Sequence, residues 1–141
     1  MKGSFWNSDG FGDPAKHLAV NEIVREHRSD FIAILETGRD SFAPHLLSHL
    51  SGGFDYAWFC LPPQGRSGGI LVGFNSTSFK IKNVLAGDSC VKFHVVSKSD
   101  GFEWALVAAY GAAQDAKKPE FLAELVRFCE TDNLPDRKSV V

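Results

Sequence analysis

The sequence has no stretch approaching the roughly 18 consecutive apolar residues that read as a membrane-spanning helix. Its first residues also lack the basic segment and apolar core of an export leader. A soluble, intracellular protein without membrane contact is the expectation. Cysteine is scarce and scattered: Cys60, Cys90 and Cys129 show no Cys-x-x-Cys or metal-ligand spacing. The expectation is therefore buried, reduced thiols and no disulfide-linked partner. An excess of positive charge is missing too. Fifteen Lys and Arg stand against 17 Asp and Glu, a formal net charge of −2. No overall basic field marks a nucleic-acid binder, so any such surface has to be a local patch. Repeats, low-complexity tracts and interdomain linkers are absent. What is there is ordinary globular composition, 44% hydrophobic and 23% charged, which argues against disorder. A chain of 141 residues fits one domain able to bury about two-thirds of its unfolded surface.

The chemistry-bearing residues stand at the ends of short apolar runs. Gly3 to Asn7 reads as a strand, followed by Ser8, Asp9 and the loop residues Gly10-Phe11-Gly12. Asp13-Pro14 gives an N-cap and a proline at the first helical position. The helical spacing that follows turns Ala15, Leu18, Ala19 and Ile23 to a sheet and Lys16, Arg25 and Arg28 to water. Phe31 to Leu35 is a continuous apolar run, the pattern of a strand buried on both faces, and it ends in Glu36. Strand, helix and strand make a βαβ unit with neighbouring parallel strands. Asp9 and Glu36 then converge at one sheet edge, with Asn7 beside them. Two carboxylates and an amide suit a hard cation such as Mg²⁺, which takes oxygen ligands, keeps several waters and shares a substrate phosphate.

Ser41 to Leu50 reads as a second helix with Ser41 as its cap, Leu46, Leu47 and Leu50 as its apolar stripe, and Ser51-Gly52-Gly53 as its stop. Five strands follow in quick succession: Asp55 to Cys60, Gly69 to Phe74, Lys80 to Leu85, Val91 to Val96, and Trp104 to Tyr110. Alternation around Lys80 to Val84 and Lys92 to Val95 predicts antiparallel strands with one wet face, and Ser99-Asp100-Gly101 signals a hairpin. Pro119 opens a last helix, and Thr131 to Val141 is polar and aperiodic. The sum is a mixed α/β domain whose sheet is partly parallel and partly antiparallel. Gly65 to Gly69 lacks the lysine and spacing of a P-loop and opens a strand instead of a helix, so it reads as a turn. His45 and His49, four apart, have no third zinc ligand. Trp6, Trp58 and Trp104 read as core or rim aromatics.

Four motifs then fall in order: Trp6-Asn7-Ser8-Asp9-Gly10; Leu35-Glu36-Thr37; Gly65-Arg66-Ser67-Gly68-Gly69-Ile70-Leu71; and Ala109-Tyr110-Gly111, followed by Glu120 to Leu125. Together the sequence resembles the endonuclease/exonuclease/phosphatase superfamily, and especially the apurinic/apyrimidinic-endonuclease-like domain of plant LINE-type (non-LTR) retrotransposons. The resemblance covers residues 3 to about 130. It implies a four-layer α/β sandwich and a metal-dependent phosphodiesterase whose intact relatives nick DNA, with the nucleus as the compartment. By this resemblance Glu36 is the principal metal ligand, Asp9 a second acid near the metal, and Asn7 an active-site hydrogen bonder. Tyr110 meets the scissile phosphate, and Arg66 and Ser67 contact substrate at the cleft rim.

The departures are as informative. Retrotransposon members often carry Arg where Asp9 stands, and many repair enzymes carry Pro and Asn where this chain has Ala112 and Ala113. The family's later Asp-x-Asn and Ser-Asp-His motifs are absent, and Asp132-Asn133-Leu134 closes a helix instead of following a strand. Residues 1–135 therefore read as the N-terminal portion of the sandwich, truncated before its second half, with an unrelated tail from Asp136. A bare apolar sheet face and little or no activity alone are the corresponding expectations. The alternatives are a non-catalytic remnant that binds nucleic acid or a protein partner, and a small-molecule phosphatase-like member of the same superfamily.

Overall fold

The computed structural model describes residues 2–63, 68–87, 90–109 and 136–140. The chain divides into two compact units, Met1–Phe79 and Lys80–Val141. In the first, strand β1 (Gly3–Asn7), helix α1 (Pro14–His27) and strand β2 (Phe31–Leu35) are followed by helix α2 (Pro44–Leu50), β3 (Tyr56–Leu61) and β4 (Ile70–Asn75). The strands order β1-β2-β4-β3. β1 and β2 run parallel with Gly3 opposite Phe31 and Asn7 opposite Leu35, while β4 is antiparallel to both β2 and β3. A strand, a crossover helix and a parallel neighbour is the unit that the apolar spacing predicts.

All five residues of β2 are buried, as the unbroken run Phe-Ile-Ala-Ile-Leu requires. Ile32, Ile34 and Leu71 meet Phe11, Val20, Val24 and Leu50 in a core against which Trp6, Phe42, Leu46, Leu47, Tyr56 and Trp58 pack. Phe5, Phe31, Phe59 and Phe74 form a second run of ring contacts, with centroids 5.7 to 6.3 Å apart.

The expected start of α1 is present: Asp13 accepts the Ala15 N–H at 2.9 Å, and Pro14 opens the helix. Its phase is not the expected one. Val20 and Val24 are the buried residues and Leu18 is 49% exposed, because His17 turns onto Phe11, their ring centroids 4.7 Å apart. That contact rotates positions 17, 20 and 24 inward. α2 begins at Pro44 with Ala43 as a cap that makes no side-chain bond, so Ser41 is not the cap. A proline has no N–H to donate and disfavours helical backbone in the residue before it, which sets the start. Gly52, at φ +59°, lies where a Cβ would come within 3.2 Å of the α1 backbone. Asn21 Nδ2 donates to the His49 carbonyl at 2.6 Å across the same junction. Cys60, expected to be buried, is exposed near the end of β3, whereas Cys90 is buried; both are free thiols.

In the second unit β5 (Phe79–Ala86), β6 (Cys90–Ser97), β7 (Glu103–Ala109) and β8 (Asp136–Val140) lie in that order. β6 and β7 are antiparallel, joined by the turn expected at Ser99-Asp100-Gly101. Here Gly101 N–H donates to the Ser97 carbonyl and Phe102 N–H to Asp100 Oδ1. β8 runs parallel to β7 in a segment with no periodicity to announce it. The expected wet-and-dry alternation fails: Val91, Lys92 and Phe93 are all buried on the inner strand β6, and the edge strand β5 is largely exposed. Among the described residues of this unit the exposed large hydrophobics are Val84 and Leu85, consecutive on β5, and Phe102. Tyr110, Arg66, Ser67 and the helix expected from Pro119 lie outside the described residues. No helix among the described residues is long and apolar enough to cross a membrane.

Glu103 joins three strands of this sheet, accepting from Lys82 Nζ at 3.2 Å and His94 Nε2 at 2.8 Å. The Lys82 hydrogen bond first, and the His94 bond second, hold its carboxyl below the usual carboxylate range. A lowered folded value means stability that is present above the ordinary carboxylate range and lost as pH falls through the folded value. Glu103→Gln is therefore expected to lower the melting temperature slightly at neutral pH. The difference should close on acidification below about pH 4. A gap between wild type and variant that stays constant down to pH 3 would show that the pair contributes nothing through charge.

Candidate active site

The parallel ladder does not stop where the strands do. Beyond Asn7 and Leu35, Ser8 N–H donates to the Leu35 carbonyl at 2.9 Å, Gly10 N–H to the Glu36 carbonyl at 2.7 Å, and Phe11 N–H to the Thr37 carbonyl at 2.9 Å. The buried Ser8 hydroxyl adds bonds to the Leu35 and Glu36 carbonyls at 3.0 and 3.2 Å. Asp9 and Glu36 are thereby carried on adjacent backbones at the carboxyl edge of the sheet, as the βαβ reading requires. Asn7 Oδ1 accepts the Asp9 N–H at 3.1 Å, closing a tight turn.

Both acids adopt left-handed backbone, Asp9 at φ +49° and Glu36 at φ +54°. Aspartate tolerates that region better than most residues; glutamate has no such licence. Two left-handed acids thus stand on neighbouring strand ends, where such backbone costs an L-residue about 1–2 kcal/mol. Neither carboxylate has a hydrogen-bond or ion-pair partner among the described residues, and Glu36 is half-buried while Asp9 is exposed.

The glycine-rich motif closes the other side of Glu36. Thr37 N–H donates to the Gly69 carbonyl at 3.1 Å and Gly38 N–H to that of Gly68 at 2.9 Å. Gly69, at φ +89°, sits so near that a Cβ would lie 2.5 Å from Thr37 Oγ1. Only glycine fits there, so the Gly68-Gly69 pair is spent on joining two chain ends at the site. Arg39, three residues past Glu36, lies 5.5 Å above the Phe42 ring. Phe42 in turn contacts Phe11 at 6.2 Å.

Lys16 is a residue that sequence reasoning turned to solvent and that the structure turns inward. Its Nζ donates to the carbonyls of Ser8 at 2.7 Å, Gly10 at 2.9 Å and Asp9 at 3.4 Å. The signal that could have found it is its place one turn after a glycine loop, where an ammonium can reach back over unpaired carbonyls.

A donor set of two unpaired carboxylates on adjacent strand ends fits a divalent cation. Magnesium in particular is held by one or two carboxylates with water and phosphate completing its shell. No group of three or more His, Cys, Asp or Glu able to hold a metal occurs among the described residues.

No family model and no curated protein matches the sequence. Solved structures do match. The mannosyl-6-phosphatase of Bacteroides thetaiotaomicron superposes with a TM-score of 0.69 at 12% identity over 98% of this chain and 63% of its own. An endonuclease/exonuclease/phosphatase family protein of the same bacterium gives 0.67 at 16% identity, over 98% of this chain and 60% of its own. D. rerio TDP2, complexed with a single-strand DNA product, gives 0.68 at 12% identity, over 96% and 58%. Likeness at such identities is likeness of fold. The fold is mixed α/β, and more narrowly that of the endonuclease/exonuclease/phosphatase proteins, with this chain spanning about 60% of the length of the structures it matches.

The backbone strain at Glu36 yields a direct expectation. Left-handed backbone costs an L-residue about 1–2 kcal/mol, and glycine avoids that while paying roughly 0.5–1 kcal/mol in unfolded-chain entropy. Glu36→Gly is expected to raise stability by about 1 kcal/mol, a few degrees in melting temperature, while Glu36→Ala gives no gain. A clear loss of stability in Glu36→Gly would mean that the carboxylate supports the fold.

Proposed function

We propose that this chain is the metal-holding part of a phosphodiesterase domain of the retrotransposon endonuclease type, acting on DNA with a divalent cation such as Mg²⁺. The observation that carries the reading is the pair of left-handed acids, Asp9 and Glu36, on adjacent strand ends joined by the Gly10 N–H to Glu36 carbonyl bond. The order of the four sequence motifs supports it, as does the shared fold with a DNA-bound TDP2.

In this reading Glu36 and Asp9 hold the cation, which when bound polarises a phosphoryl oxygen and stabilises a leaving oxygen. Asn7, whose Oδ1 is committed to the Asp9 amide, offers its Nδ2 protons to a phosphate oxygen. Arg66 and Ser67 at the rim, and the Tyr110 hydroxyl, take up charge on the phosphate as neutral or cationic donors. The half-buried placement of Glu36 limits its exchange with solvent. The 141 residues contain neither an Asp-x-Asn nor a late Ser-Asp-His motif, so a positioned base for the attacking water is missing from them, and little or no cleavage is expected from this stretch by itself.

The likeness to a mannosyl-6-phosphatase supports a second reading, a phosphatase for small phosphomonoesters. Calorimetric titration with Mn²⁺ separates these ideas from a non-catalytic remnant: the wild type is expected to bind one ion, and Glu36→Ala to weaken binding at least about tenfold, or 1.4 kcal/mol. Absence of Mn²⁺ binding by the folded chain would sink the metal reading. In the presence of Mn²⁺, tighter binding of a DNA oligonucleotide than of mannose 6-phosphate favours the nuclease reading, and the reverse order favours the phosphatase. Robust nicking of supercoiled plasmid that Glu36→Ala abolishes would overturn the expectation of inactivity.

A further inference from the structure

We propose that Lys16 is a positioning residue for the cation site: its ammonium gathers the carbonyls of Ser8, Asp9 and Gly10 and so fixes the left-handed turn that carries Asp9. The inference rests on the reading of Asp9 and Glu36 as cation ligands.

The accounting of backbone groups between Ser8 and Phe11 carries it. The amides of Ser8, Gly10 and Phe11 are taken by carbonyls at the end of β2, and that of Asp9 by Asn7 Oδ1. The carbonyls of Ser8, Asp9 and Gly10 are taken by Lys16, and that of Phe11 by His17 Nε2 at 2.8 Å. Since a carbonyl only accepts, His17 Nε2 carries the proton of this bond. Every backbone polar group of the turn is therefore satisfied, the amides by the β-strand side and the carbonyls by two consecutive residues of α1. Such closure is unusual for a glycine-flanked loop, whose carbonyls ordinarily face water.

Chemistry explains why the residue is a lysine. An ammonium offers three donors around a tetrahedral centre, one for each of three converging carbonyls, and accepts nothing. A guanidinium spreads its donors in a plane and cannot straddle the same three oxygens. Helix phase supplies the rest, since Lys16 and His17 occupy the first turn of α1 while Val20 and Val24 of the same side enter the core. The turn is thus anchored to the core through the helix that follows it.

The sign of the effect separates positioning from charge. A positive charge near a cation site weakens cation binding by repulsion, so a purely electrostatic Lys16 would, on removal, leave the site tighter. A positioning Lys16 would leave it weaker. The test compares the full chain with Lys16→Met, which keeps an unbranched chain and removes the ammonium, and Lys16→Arg, which keeps the charge. Mn²⁺ affinity is read by calorimetry and amide exchange by NMR.

In Lys16→Met, exchange at Gly10 and Phe11 is expected to accelerate about tenfold or more while β2 amides keep their protection. Mn²⁺ affinity should fall about tenfold, and Lys16→Arg should not restore it. Equal or tighter Mn²⁺ binding in Lys16→Met, or unchanged exchange at Gly10 and Phe11, would overturn the proposal. So would full recovery in Lys16→Arg, because a planar guanidinium would then fix the turn as well as the three-donor ammonium. Lys16→Gln gives the same readings where the Met variant does not fold. If the wild type binds no Mn²⁺, the cation reading fails along with the affinity part of this proposal. The exchange measurement then still decides whether Lys16 orders the turn.

Discussion

The parallel pairing of β1 with β2, and its continuation beyond both strands, is the constraint on which the rest depends. Register in a parallel pair is set by which residues face the core. β2 is buried on both faces, with Ile32 and Ile34 in the core and Phe31 against Phe5 and Phe74, so a slipped register would misplace packed side chains on each. With Asn7 held opposite Leu35, the bonds from Ser8, Gly10 and Phe11 to Leu35, Glu36 and Thr37 leave Asp9 and Glu36 no option but adjacency. Burial of the strand therefore determines the spacing of two charged residues that are not themselves in the core.

Neither acid has a cationic partner among the described residues, and both stand on backbone that L-residues avoid. Folding alone would select glycine or a paired charge at such places. Glycines do stand close by: Gly10 follows Asp9, and Gly38 lies two residues beyond Glu36, both at positive φ. They relieve the neighbouring turns, while the acids keep the strained positions. The cost is sustained because the surroundings are over-determined. Thr37 is buried between its own strand end and Gly69, and Ser8 bridges two carbonyls of the partner strand.

Much of this was legible in the order of residues. The unbroken apolar run of β2, the Asp13-Pro14 start of α1 and the acid after each strand each rest on a local rule, and local rules survive folding. What escaped depended on contacts across the chain. Leu18 looked like a core residue because helical spacing fixes a stripe but not its rotation, and the rotation came from Phe11 meeting His17. Lys16 looked solvated because charge on a helix usually is. Nothing local tells a lysine that three carbonyls converge within reach. Ser41 looked like a cap until the backbone limits of Pro44 are weighed against its hydroxyl. Lys92, a polar letter in an alternating pattern, is buried because β6 lies between two strands instead of at an edge. Arg66, Ser67 and Tyr110 rest on motif order alone.

The fold by itself says little about chemistry, since the matched structures include a sugar phosphatase and a protein solved with DNA. What distinguishes members of such a group has to lie in residues that touch substrate, and the candidates for that role, Arg66 and Ser67, stand on another segment than Asp9 and Glu36. Asp9, Glu36, Asn7 and Lys16 all belong to the first unit and are tied together by bonds within it. In the proposed reading, affinity for a cation is then a property that this one compact unit carries with its own backbone. Choice of phosphate ester, in the same reading, falls to residues outside those bonds, Arg66 and Ser67 among them.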